Sequence, residues 1–183
     1  MLIDGKFVHL RALEEIDLSK LKELRNMSNV RKHTREYKLL SMINQKEWFK
    51  SLFLENPPKN IMFTVLNKSK LSVGICGLTY IDWKNRNAEI SIILDEAKKN
   101  LLKESREVIK IITDYGFDEL GLHRIWAEIF EIAPERIKLF EKMNFKKEGK
   151  LRDNLWRNGK WYNSFIYSKL AARSEHGKTN KTF

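Results

Sequence analysis

Cysteine is almost missing: Cys76 is the only one in 183 residues, so no internal disulfide can form, and a lone thiol suits a reducing compartment. No apolar run approaches the length of a membrane span. Met1-Leu2-Ile3-Asp4-Gly5 lacks the basic and apolar regions of a signal peptide, so a cytoplasmic protein without a membrane partner is expected. Internal repeats and interdomain linkers are also absent, and the length suits one domain with a full core rather than two. Histidines 9, 33, 123 and 176 show no ligand spacing, and Cys76 sits alone in an apolar strand; neither a metal site nor a Cys-His nucleophile is supported.

Negative charge is in short supply, with 24 acidic residues against 35 basic ones, a net charge of +11. That balance favours acidic partners in general. The lysines are scattered, however, as on an ordinary solvated surface, and a nucleic-acid partner is not expected. Arg152, Arg157 and Lys160 with Trp156 and Trp161 mix cations and aromatics as nucleic-acid surfaces do, but the same mixture also covers hairpin faces.

What is present is a crossover unit between Arg86 and Phe145. Ala88 to Leu94 reads as a strand, Leu101 to Phe117 as a helix, His123 to Phe130 as a second strand and Pro134 to Met143 as a short helix. Two apolar strands joined through a helix lie side by side and parallel, and a ligand site is expected where the first strand ends and the helix begins.

Around this unit, Phe7 to Arg11 alternates as a strand, and a helix starts at Asp17 with Leu18, Leu21 and Leu24 on its apolar face. Periodicity fails from Arg31 to Tyr37, where a loop or broken helix is expected to wall a substrate groove. Asn44 is the expected cap of a helix carrying Trp48, Leu52 and Phe53, ended by Pro57-Pro58. Ile61 to Leu66 and Val73 to Ile81 form a hairpin, Trp83 to Asn87 a second, and Asn158-Gly159 a third between Leu151–Trp156 and Trp161–Leu170. The expected architecture is α/β: a single domain over 1–170, with a mixed, mostly antiparallel sheet and helices on both faces. A polar, disordered tail is expected over 171–183.

Element order from about Leu10 to Leu170, and the segments Tyr115 to Ile125, Ile137 to Gly149 and Asn158-Gly159-Lys160, resemble the GNAT superfamily of N-acetyltransferases, in the branch with ribosomal-protein and spermidine acetyltransferases. The resemblance implies acetyl-CoA as co-substrate, its thioester lying between the strand ending at Leu94 and the strand starting near Arg124, oriented by main-chain groups of Ile92, Ile93 and Leu94. Relatives hold the pyrophosphate on a glycine-rich loop at a helix N-terminus, where unpaired N–H groups face the phosphates. The corresponding stretch here, with Asn100, Leu101, Leu102, Lys103, Ser105 and Arg106, has no glycine, and Lys98, Lys99, Lys103 and Arg106 offer charge instead. Ala133 and Phe140 replace a frequent Asn and Tyr. Phenylalanine has no proton for the departing CoA thiolate, which leaves that task to water or another tyrosine.

Two carboxylates are the candidate catalytic residues by the same resemblance, Glu128 to take the amine proton and Glu89 facing the acceptor amine. Their plainer roles are a groove-edge side chain and a polar strand end. Tyr80, Trp83, Trp161 and Tyr162 line an acceptor groove or pack the sheet, whereas Tyr115 continues a core face. The expected activity is direct transfer of acetyl from acetyl-CoA to a primary amine on a small molecule or peptide, and a homodimer is an admissible assembly. The alternative is a GNAT-like binding or regulatory module without catalysis.

Overall fold

The computed structural model describes residues 2–95 and 101–172. Its centre is an eight-stranded sheet in the order β1-β2-β3-β4-β5-β6-β8-β7, with β1 Ile3–Asp4, β2 Val8–Ala12, β3 Ile61–Asn67, β4 Ser72–Asp82, β5 Asn87–Leu94, β6 Arg124–Phe130, β7 Lys146–Arg157 and β8 Lys160–Leu170. Among the described residues only β5 and β6 pair in parallel; every other pair is antiparallel. Among the described residues no helix is long and apolar enough to cross a membrane.

Strand alternation sorts the side chains between two cores. Ile90, Ile92 and Leu94 of β5 and Ile125, Ala127 and Ile129 of β6 join one core with Val108, Ile109 and Ile112 of α4 (Leu101–Asp114) and Phe140 of α5 (Pro134–Lys142). On the other face, Met62, Ile75 and Ile93 meet Leu18 and Leu21 of α1 (Leu18–Asn26) and Met42, Trp48 and Phe49 of α3 (Met42–Ser51). Helices thus cover both faces, as the sequence implies.

Several boundaries differ from expectation for local reasons. The cap of α3 is Ser41, not Asn44: the Ser41 hydroxyl accepts the Asn44 N–H at 3.2 Å, and the Asn44 side chain accepts the Ser41 N–H at 3.0 Å, a reciprocal capping box. Helix α4 gives way at Tyr115–Glu119 to a wider turn, with Gly116 so close to Ile125 that a β-carbon would sit 2.7 Å from its Cδ1. A short helix, α2 (Ser28–Arg31), ends where the region expected to be aperiodic, Arg31 to Tyr37, begins. Asn158 and Gly159 both take positive φ, 50° and 74°, as their hairpin turn requires. Asn144 likewise adopts φ 63° just past α5, the left-handed stop that Asn tolerates. Tyr115 packs edge-on against Phe63, 5.2 Å between ring centres.

Candidate active site

Parallel register places Glu89 opposite Trp126, and Glu128 lies two residues further along β6. A period of two therefore puts both carboxylates on the same face of the sheet, the face carrying α1 and α3. The ladder ends at that pair: three residues of β5 match β6, and from Ile90 onward the two strands part. Two grooves of about 420 Å³ each open there, one on each face of the parted strands. Both fall within the size range of small-molecule sites.

In the first groove the carboxylates meet a side chain that the sequence did not single out. Arg35, from the aperiodic loop, donates to Glu89 through Nη1 at 3.0 Å and Nη2 at 2.7 Å, and to Glu128 through Nε at 3.0 Å and Nη2 at 2.6 Å. Glu128 is further held by the Ser164 hydroxyl at 2.5 Å and the Asn154 amide at 2.6 Å. Burial, the largest influence, would raise the Glu128 carboxyl. The hydrogen bonds from Ser164, Arg35 and Asn154, with the Arg35 charge, outweigh it and hold the group below its ordinary 4.5. For Arg35 burial works downward, but its two carboxylate partners keep the guanidinium above its usual range.

The rest of this groove is close to charge-balanced. Arg25, Arg35 and Arg136 stand against Glu36, Glu89 and Glu128. His33 adds nothing at neutral pH, since burial, then Arg136 and Lys32, push it down to about 4. Tyr37 and Tyr80 line the walls, and a wider hollow continues past Arg35 and Glu128 to Trp156 and Trp161, whose rings lie 5.0 Å apart. Trp83 instead packs against the core with its indole N–H bound to the Pro58 carbonyl at 2.8 Å, and Tyr162 lines neither groove.

The second groove is walled by Ile92, Leu94, Leu101, Leu102, Ser105, Ile109, Leu139 and Phe140. Leu101, Ser105 and Ile109 recur at four-residue spacing, so they form one stripe of α4. Main-chain direction alternates along β5: the Ile92 carbonyl faces the opening, where the Arg136 guanidinium reaches it at 3.2 Å, while the Asp95 N–H binds Val73 of β4. Ile93 follows the second direction, its carbonyl lying against Gly74, and its side chain belongs to the first groove. Of the three strand residues expected to contribute, Ile92 and Leu94 therefore turn their main-chain groups to the opening, and Ile93 turns its own to β4.

Two of the charged candidates also lie elsewhere. Lys103 points over the Phe7 ring, 5.8 Å from its centre, and Arg106 does not line the groove, because both fall off the Leu101-Ser105 stripe. Asn100, Lys98 and Lys99 lie outside the described residues. The apolar channel, with open main-chain groups on one wall and the first turn of a 14-residue helix at one end, fits a pantetheine arm with a phosphate beyond it.

The Acetyltransferase (GNAT) domain family matches residues 10–166. The chain belongs to the GNAT acetyltransferases. Among similar GNAT proteins, the uncharacterized N-acetyltransferase YoaA of Bacillus subtilis is 37% identical over 106 residues; that stretch is 57% of this chain and spans 59% of YoaA's own length. The crystal structure of spermidine N-acetyltransferase from Vibrio cholerae in complex with CoA and spermine superposes with a TM-score of 0.82 at 27% identity, covering 91% of this chain and 96% of that one. A dodecameric structure of the Vibrio cholerae enzyme superposes at 0.75 with 25% identity, covering 91% and 95%. Transfer of acetyl from acetyl-CoA to an amine is accordingly the activity of this GNAT chain, and a purely non-catalytic module is not favoured.

Arg35 and Arg136 are the candidate-site residues that reading the sequence missed. Arg35 left one trace, the loss of periodicity between Arg31 and Tyr37. Arg136 left none, being one more cation on a mixed helix.

Proposed function

We propose that the groove holding Glu89 and Glu128 seats the acceptor as an alkylammonium ion, and that the acceptor is a small di- or polyamine of the spermidine type. The observation that carries this reading is the Arg35 guanidinium bound by both carboxylates at 2.6 to 3.0 Å. A guanidinium in that position stands in for a substrate ammonium: it is a cation and a multiple donor, held between acceptors that match it. Glu128 is held ionised, which suits an ammonium anchor. When Arg35 yields its place, the burial that now loses to hydrogen bonding gains weight, and Glu128 becomes the better proton acceptor for the amine.

Ile92, Leu94, Leu101, Leu102, Ser105 and Phe140 would hold the acetyl donor in the second groove. The Vibrio cholerae relatives supply the acceptor class, since their names specify spermidine and the superposed structure contains spermine. Self-association belongs to the same reading, supported by the dodecameric relative and by β7, a largely exposed twelve-residue edge strand whose exposed Trp156 faces exposed Trp161 of β8. So does residence in the cytoplasm, which suits a lone, fully buried thiol.

The test is CoA release from acetyl-CoA with spermidine, a monoamine and a peptide amine in parallel, on the wild type and on Glu89→Gln and Glu128→Gln. Spermidine-dependent release that drops in both variants supports the reading. Release that favours the peptide, or that neither variant alters, would sink it.

A further inference from the structure

Ile92 and Arg136 are the two residues that line both grooves. Acetyl passing from the donor side to the acceptor side crosses between them. Arg136 sits one helical turn before Phe140 on α5, so the two side chains share a face, and its Nη2 spans the opening to the Ile92 carbonyl. The chemistry needs something at this crossing. Phe140 is a hydrocarbon ring stacked edge-on against Phe145, and no tyrosine lines the donor groove. Elsewhere Tyr167 commits its hydroxyl to Glu141 at 2.9 Å, while Tyr37 and Tyr80 stand on the outer walls of the acceptor groove, 75% and 63% exposed.

We propose that Arg136 is a catalytic residue that stabilises the sulfur anion as the thioester breaks, taking over by charge what the missing hydroxyl would have done by proton donation. The assignment rests on the acetyltransferase reading above and extends it. The seated ammonium first gives one proton to water; as the resulting neutral amine nitrogen bonds to the acetyl carbon, the C–S bond breaks and its electron pair leaves on sulfur. The thiolate pairs with the guanidinium, and the proton released by nitrogen passes to Glu128. Arginine keeps its own proton, because a guanidinium does not deprotonate in proteins, so water protonates the sulfur afterwards. Lys32 and Glu135 also line the donor groove, but neither reaches the acceptor side.

The decisive experiment uses CoA alone, so that it does not depend on the acceptor. In the binary complex the thiol is titrated by the ultraviolet absorbance of its thiolate. A neighbouring arginine lowers the titration of a thiol, so the bound thiol of the wild type is expected to titrate about one unit or more below free CoA in the same buffer. Arg136→Gln should return the thiol to its free value, and Arg136→Lys should retain part of the drop. In turnover Arg136→Gln should lower kcat about a hundredfold with little change in the amine KM. Adding Phe140→Tyr to it should recover much of the rate. An unchanged thiol titration in Arg136→Gln, a loss of CoA affinity in that variant, or faster turnover from it would each overturn the assignment; the last two would mark Arg136 as a binding residue or a plug. A wild type with no affinity for CoA would instead remove the acetyltransferase reading itself.

Discussion

Removing Arg35 tests the acceptor seat through stability alone. Arg35→Gln leaves two carboxylate side chains, each 8% exposed, facing one another without a counter-charge. Breaking a fully buried pair costs about 3–5 kcal/mol, and an exposed one about 0–1 kcal/mol. The Arg35 side chain is 47% exposed, so its loss belongs between these limits, at about 2 kcal/mol near pH 7. For a domain of this size that is about 4–8 °C in Tm. The pH dependence carries the diagnosis. In the wild type Glu128 is depressed below 4.5, so its contribution is present above that value and is lost as pH falls through the folded pKa. A protonated Glu128 no longer needs the guanidinium, and the gap between wild type and variant should narrow steadily below about pH 4.5. Urea unfolding of both proteins at pH 7, 5 and 4 reads this directly. A gap that is the same at all three values, or no gap at pH 7, would refute the account of Arg35 as an ion-paired plug. With the fold intact, Arg35→Gln should also lower the KM for a cationic acceptor, because the seat is vacated.

Gln45 is fully buried with neither side-chain oxygen nor nitrogen bonded, so Gln45→Met should raise stability by about 1–2 kcal/mol in urea unfolding; a loss would mean that the amide has a partner. The Glu107 carboxylate accepts the N–H groups of Lys6, Phe7 and Val8 at 2.6 to 2.8 Å, and Glu107→Ala should cost about 2–3 kcal/mol and expose those amides to hydrogen exchange. His33, pushed down to about 4, stays neutral when folded, so stability should fall as pH drops from about 6.5 towards 4, where the unfolded chain binds the extra proton. His33→Asn should flatten that limb, and an unchanged limb would locate it in another group. The Cys76 thiol is buried and pushed upward by that burial, so native protein should resist alkylation and unfolded protein should not.

The sheet was legible because β-branched runs and the Asn158-Gly159 turn declare strands locally, and parallel crossover geometry then puts Glu89 and Glu128 on one face. The Ser41-to-Asn44 capping box was also written in the chain, though Asn44 alone looked like the cap. What could not be read were contacts of long reach. Arg35 finds Glu89 and Glu128 at separations of 54 and 93 residues, from a loop without periodicity. Strand β7 runs from Lys146 although most of its side chains are exposed, so it carries no alternation, and pairing with β8 defines it. The main-chain alternation that turns Ile93 towards β4 depends on which edge of β5 meets β4, a matter of register rather than residue type.

Among the described residues, three matched residue pairs are the whole main-chain ladder where the five-strand side of the sheet meets the three-strand side. A ligand whose amides bridge Ile92 and Leu94 supplies the missing rungs and acts as mortar between two plates. Loading and sheet continuity then become one event: the empty protein should breathe along that seam, with early exchange at 124–126, and the charged one should melt as a single block.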